Sequence, residues 1–156
     1  IQDVEEVAVA GLLHDIGKVI LYIESPIEYR QVIKEALDSE RPLWQVERDL
    51  MGFDHTEIGE WLCEKWTLPK KLAIPIQYHH EPCKEKTFQL RTHVVAFANA
   101  IVKGIGGAAE KGIILENLHP QTLKELNNAR FHLSEFVEKI EPEMEAMENI
   151  RPEDLK

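Results

Sequence analysis

Apolar residues recur along the chain at intervals of three and four, the spacing of amphipathic helices. Sustained alternation of apolar and polar residues is missing, and so are the Asn-Gly and Asp-Gly turns of tight hairpins. The pattern predicts an all-α, compact helical bundle with short connections. Gln2 to Asp15 is apolar on nearly every side, as in a central buried helix, and Gly17 is expected to end or bend it. A second helix is expected over Pro26 to Leu37. Ser25 is its N-cap, Pro26 its first residue, and Tyr29, Ile33 and Leu37 its stripe. A third runs from Leu43 to Met51 and stops at Gly52.

The fourth helix has the clearest start. Asp54 precedes it and Glu57 follows three residues later, as in a capping box. His55, Gly59, Leu62 and Trp66 then share one face. Pro69 to His80 reads as a fifth helix kinked at Pro75, with Leu72 and Ile76 facing the same way as His79-His80. Pro82 closes it, and Glu81 to Lys86 is a polar loop. A sixth helix, Phe88 to Lys103, carries Leu90, Val94, Phe97, Ala98 and Ile101. Gly104, Gly106 and Gly107 should break it, and a loop holding Gly112 follows. Pro120 to Asn127 and Ser134 to Asn149 complete the set. The last has Phe136, Val137, Ile140, Met144 and Met147 on one face and Pro142 as a kink or split. The Met144-Met147 stripe reads as core, with a partner-docking helix as its other reading.

The 156 residues suit one core, and 18 Lys+Arg against 28 Asp+Glu give a net charge of −10. An acidic chain repels polyphosphate backbones, which argues against a nucleic-acid platform. A phosphate ligand would need a local cation. Cys63 and Cys83 form no Cys-x-x-Cys pair, so neither a disulfide framework nor a zinc knuckle is indicated. No apolar run approaches the roughly 20 residues of a membrane span, and no signal-peptide pattern opens the chain. The opening at Ile1, directly into Val4-Glu5-Glu6-Val7, suggests a fold with residues upstream.

Four of the seven His lie in or beside apolar helices: His14, His55, His79 and His80. A buried His-Asp doublet, His14-Asp15, is costly unless paired or bound to a metal. At a helix end both side chains can reach one centre. A mixed imidazole and carboxylate set suits Fe, Mn, Ni or Zn, which activate water and clamp phosphoryl groups. Each His also has a plain reading, as a core residue bonded to a carbonyl or as part of a solvated helix end. His93, His119 and His132 fall in no constellation, and surface or capping roles are expected for them.

Ala10-Gly11-Leu12-Leu13-His14-Asp15-Ile16-Gly17-Lys18 resembles the signature of the HD superfamily of metal-dependent phosphohydrolases. Asp54-His55-Thr56-Glu57-Ile58-Gly59, Trp66-Thr67-Leu68-Pro69 and Ala73 to Pro82 resemble its HDOD branch in order and spacing, and Val94 to Ile101 fits the next family helix. The resemblance covers about Val4 to Val102. It implies a compact HD-like helical bundle over residues 1–104, truncated at its N-terminus. Residues 105–156 would add C-terminal helices to the same bundle. It implies a bacterial, cytoplasmic signalling module whose partners are other signalling proteins or domains of its own polypeptide, with a nucleotide as a candidate ligand. Related HD-GYP domains are cyclic-di-GMP phosphodiesterases, and the resemblance implies that the ligands of their metals correspond to His14, Asp15, His55, His79, His80 and a carboxylate on the following helix.

Three departures from that pattern leave two readings open. No His precedes His14, the late Asp of the pattern falls at or near Asn99, and Pro82-Cys83-Lys84-Glu85-Lys86 stands where HD-GYP proteins carry Gly-Tyr-Pro. A neutral amide is a poor substitute for a ligating carboxylate. The first reading is a non-catalytic or weakly metal-binding regulatory module. The second is a metal-dependent phosphohydrolase in which Asp15 and Lys18 act in catalysis. Lys18 would neutralise a substrate phosphate in the second, and in the first is a solvated cation near a helix C-terminus.

Overall fold

The computed structural model describes residues 4–105 and 118–148. Among these, nine α-helices and one 3-10 turn are present and no strand. None of the helices is long and apolar enough to cross a membrane.

The apolar opening forms two helices, α1 (Val4–Leu13) and α2 (Ile16–Glu24), separated by a turn at His14-Asp15. Gly17 neither ends nor bends α1. It lies buried in the first turn of α2, where a Cβ would come within 1.9 Å of the His55 carbonyl oxygen. The glycine is there to let two backbones meet. Nor is α1 buried all round. Only Val7 and Ala10 are covered, and Leu12 is 84% exposed.

The next helices are α3 (Pro26–Asp38), α4 (Leu43–Met51) and α5 (His55–Lys65). Ser25 precedes α3 as expected but makes no side-chain cap bond. The buried face of α3 is Tyr29, Val32 and Ala36, so Leu37 falls outside it and is exposed. Gly52 ends α4 at φ +84°, a left-handed backbone that suits a residue without Cβ. The capping box of α5 forms in full. Asp54 Oδ1 accepts from the Thr56 and Glu57 amides, and Glu57 Oε2 accepts from the Asp54 amide at 2.9 Å. His55, Gly59 and Leu62 are buried, and Trp66 is exposed beyond the helix end.

Helix α6 (Lys70–Tyr78) continues through Pro75 and buries Leu72, Pro75 and Ile76. A 3-10 turn at Pro82–Lys84 leads to α7 (Gln89–Ile105), which runs past Gly104. Ala98 points outward rather than into its stripe. Gly106, Gly107 and Gly112 lie outside the described residues. Helices α8 (Pro120–Asn128) and α9 (Leu133–Glu148) follow, with Pro142 inside α9 and not splitting it. The side chains of Met144 and Met147 lie outside the described residues.

Three apolar clusters hold these helices. Leu21, Tyr29, Val32, Ala36 and Val46 join α2, α3 and α4. Val7, Ala10, Leu72 and Val95 join α1, α6 and α7. Phe97, Ile101 and Leu126, with Phe131 and Phe136 against them, join α7, α8 and α9. The Phe97, Phe131 and Phe136 rings sit 5.2 to 5.6 Å apart in edge-on and tilted pairs. His93 is fully buried here, with Nδ1 2.9 Å from Thr122 Oγ1. Its expected surface role is corrected because it shares the α7 face of Ala96 and Phe97. His119 does cap, since Nδ1 accepts from the Gln121 amide at 3.1 Å, and His132 is exposed.

Candidate metal centre

The helix termini converge on one point. Asp15 lies in the α1–α2 turn, His55 opens α5, His79 caps the C-terminus of α6, and His80 follows it. Gly17 sets the distance between the first two, because α2 and α5 touch backbone to backbone there. One ligand atom from each of Asp15, His55, His79 and His80 lies within 4.8 Å of every other. His55 Nε2 is 3.2 Å and His79 Nε2 3.6 Å from Asp15 Oδ1, and His80 Nε2 is 3.1 Å from His55 Nε2.

The tautomers follow from the partners. A carbonyl or carboxylate oxygen only accepts, so a ring nitrogen bonded to one must carry the proton. His79 Nδ1 donates to the Ile76 carbonyl at 2.8 Å, His14 Nδ1 to the Gly11 carbonyl at 2.6 Å, and His55 Nδ1 to Glu47 at 2.5 Å. All three rings therefore turn Nε2 toward the centre, where Asp15 Oδ1 stands 3.2 Å from that of His55. His14 Nε2, His79 Nε2 and Asp15 Oδ1 are buried without a hydrogen-bond partner. Lone pairs facing one another in a buried site require a proton or a cation between them. The donor set fits one divalent transition-metal ion. Such an ion would be held by Asp15, His55, His79 and His80. His14 stands beside this set, its Nε2 3.4 Å from the other Asp15 oxygen and its ring edge-on to His79.

The charges in the site are strongly coupled. Burial alone would raise the Asp15 carboxyl, but the His14, His55 and His79 rings and Lys18 outweigh it and hold it well below the carboxylate range. Burial pulls the His55 imidazole down, yet Asp15 and Glu47 on its two sides leave it raised. His79 is lowered, chiefly by burial. Lys18 Nζ binds Asp15 Oδ2 at 2.5 Å. It lies in the first turn of α2, partly covered, and not near a helix C-terminus as the solvated reading expected.

Two participants escaped the sequence reading. Glu47 of α4 is fully buried, accepting from His55 at both the backbone amide (2.9 Å) and Nδ1, and from the Tyr29 hydroxyl at 2.6 Å. The signal was present: Leu43, Glu47 and Met51 form an i, i+4, i+8 stripe with a carboxylate in the middle. Arg48 locks the rim. It pairs with buried Asp54 at 2.7 Å and with Glu81 at 3.1 Å, and lies over the Trp44 ring, which stacks on His80. A cavity of about 490 Å³ opens beside the centre, with Trp44, His79, His80, Asn99, His119 and Thr122 among its lining residues. Asn99 is nine-tenths buried there, so the amide does face the region next to the His pair.

A helical bundle whose helix ends gather a His/Asp centre defines an HD-like domain. The HDOD domain family model matches residues 1–82, and the chain belongs to that family. It is 26% identical over 100 residues to an uncharacterised protein of Treponema pallidum (strain Nichols), covering 64% of this chain and 20% of that protein. Its fold is similar to the crystal structure of the "Putative phosphohydrolase" of Shewanella amazonensis SB2B, with a TM-score of 0.67 and 21% identity. That match covers 88% of this chain and 50% of the other, so the chain spans half or less of the length of these relatives.

Proposed function

We propose that the chain is an HDOD signalling domain whose His/Asp centre binds a single divalent transition metal in a regulatory rather than a hydrolytic role. One observation carries this reading. Four ligand-type side chains stand close enough to hold one cation, while the side chain lining the cavity beside the His pair at the late position is Asn99, a neutral amide. A second ion, of the kind that clamps attacking and leaving oxygens in two-metal hydrolysis, lacks that carboxylate. Lys18 is engaged with Asp15, which leaves its charge directed at the ligand cluster. The acidic surface fits contact with proteins, in the cytoplasm and within a longer signalling polypeptide, better than capture of polyanions.

The cavity of about 490 Å³ supports the second reading, a metal-dependent phosphohydrolase, because it is of a size to admit a small ligand at the metal. A bound cation would there supply water activation, with Asp15 orienting it and Lys18 offsetting phosphate charge. The test is turnover of phosphomonoesters and cyclic dinucleotides with Mn or Fe added. The regulatory reading expects binding of metal without hydrolysis. Hydrolysis that disappears in both His14→Ala and Asp15→Ala establishes the enzyme instead.

A further inference from the structure

Glu47 is not among the four candidate ligands, and its burial needs a reason. Taking a carboxylate fully out of water is unfavourable, and an apolar residue would complete the Leu43–Met51 stripe of α4 against the α3 core. What an apolar residue could not do is hold an imidazole. Both Glu47 oxygens are in use. Oε2 receives the His55 amide at 2.9 Å and Nδ1–H at 2.5 Å, and Oε1 receives the Tyr29 hydroxyl at 2.6 Å. The first contact fixes the backbone of the opening residue of α5, the second fixes the ring's rotation and tautomer, and the third fixes the carboxylate.

His79 reaches the same tautomer through a neutral carbonyl, that of Ile76. His55 reaches it through a charged partner, which makes its Nε2 a stronger electron donor. Tyr29 is itself locked in the cluster of Val32, Ala36 and Val46. A path of three residues thus runs from the packing of α3 on α4 to an atom 3.2 Å from Asp15.

We propose that Glu47 is the positioning residue of the metal centre, that it holds His55 with Nε2 aimed at the ion, and that Tyr29 makes this hold depend on the seating of α3. Metal affinity and the α3–α4 contact are then one linked equilibrium, and anything that moves α3 changes the affinity of the site. This rests on the reading that the centre binds a cation.

The experiment has two arms on the full chain. The first is long-range ¹H–¹⁵N NMR of the metal-free wild type, in buffer alkaline enough to leave the imidazoles neutral. The expected spectrum shows His55 protonated at Nδ1. The second is Co(II) titration followed by visible absorption, with circular dichroism as a check on folding. Glu47→Leu is expected to weaken Co(II) about 10- to 100-fold, as loss of outer-shell partners does. Glu47→Gln keeps an accepting oxygen and is expected to recover most of that loss and the Nδ1–H tautomer. Tyr29→Phe is expected to weaken binding severalfold with the fold intact. A wild-type His55 protonated at Nε2 overturns the proposal without any variant. So does a folded Glu47→Leu or Tyr29→Phe protein with wild-type affinity. A wild type that takes up no Co(II) overturns the metal reading itself, and with it the linkage, while the NMR arm still shows whether Glu47 sets the His55 tautomer.

Discussion

Replacing Gly17 by Ala adds one methyl group at the contact that brings Asp15 to His55. Its Cβ would lie 1.9 Å from the His55 carbonyl oxygen, 2.8 Å from the carbonyl carbon and 3.0 Å from Cα. All three are backbone atoms, so no side chain can swing aside. Restoring ordinary contact requires α2 and α5 to part by about 1.5 Å. Overpacking of this kind costs about 1–3 kcal/mol, and the rigid neighbour places this case near the top of that range. Removing a helical glycine returns up to about 1 kcal/mol. A net loss of about 2 kcal/mol should lower Tm by about 4–8 °C in a domain of this size. The same shift carries His55 away from Asp15, so metal affinity should fall at least about tenfold, by the geometry required of a metal site. Gly11→Ala is the control. Nothing lies within 4 Å of its added Cβ, and it should hold or slightly raise Tm. Thermal unfolding by circular dichroism and metal titration read both effects. A Gly17→Ala protein with unchanged Tm and affinity would refute the claim that this backbone contact builds the site.

Other outcomes follow from the same geometry. Asp54→Ala removes an N-cap and leaves Arg48 without its buried partner, so denaturant unfolding should show a loss of more than the ~1 kcal/mol typical of a cap. The His55 pKa is raised, so its contribution to metal-free stability is full below its unfolded value and fades as pH rises through the folded one. Asp15 and Glu47 are depressed, so their contribution is full above the ordinary carboxylate range and fades as pH falls through it. Tm in chelator should therefore decline on the alkaline side, and added metal, which replaces the proton on Nε2, should reverse that decline. An alkaline limb indifferent to metal would contradict the ligand assignment. Asn99→Asp places a carboxylate in the cavity beside His79 and His80, and calorimetry should find tighter metal binding or a second ion. An isotherm identical to wild type would remove the weight given to Asn99.

The sequence showed the helical periodicity, the capping box at Asp54 and the His and Asp positions, because each rests on local spacing. The helix end at His14-Asp15 was legible, but helix α2 after it was hidden. Glycine inside an apolar run reads as a stop, whereas Gly17 is buried in α2 against a backbone more than thirty residues away. Glu47 sits in a legible i, i+4 stripe, but its partners were hidden for a related reason. Its three hydrogen bonds reach α3 and α5, and a Glu in a polar-rich helix looks like a solvated face. His93 shows the opposite bias. A His without chemistry nearby in sequence reads as surface, and its Thr122 partner lies on α8.

Asp15, His55, His79 and His80 make up one candidate cation site. Metal-free full chain titrated calorimetrically with Mn, Fe(II), Ni and Zn tests it directly, with Asp15→Ala alongside. At least one of these metals is expected to saturate at a single ion per chain, and Asp15→Ala to lose the binding while remaining folded. Absence of binding by every metal, or binding unchanged in folded Asp15→Ala, would contradict it.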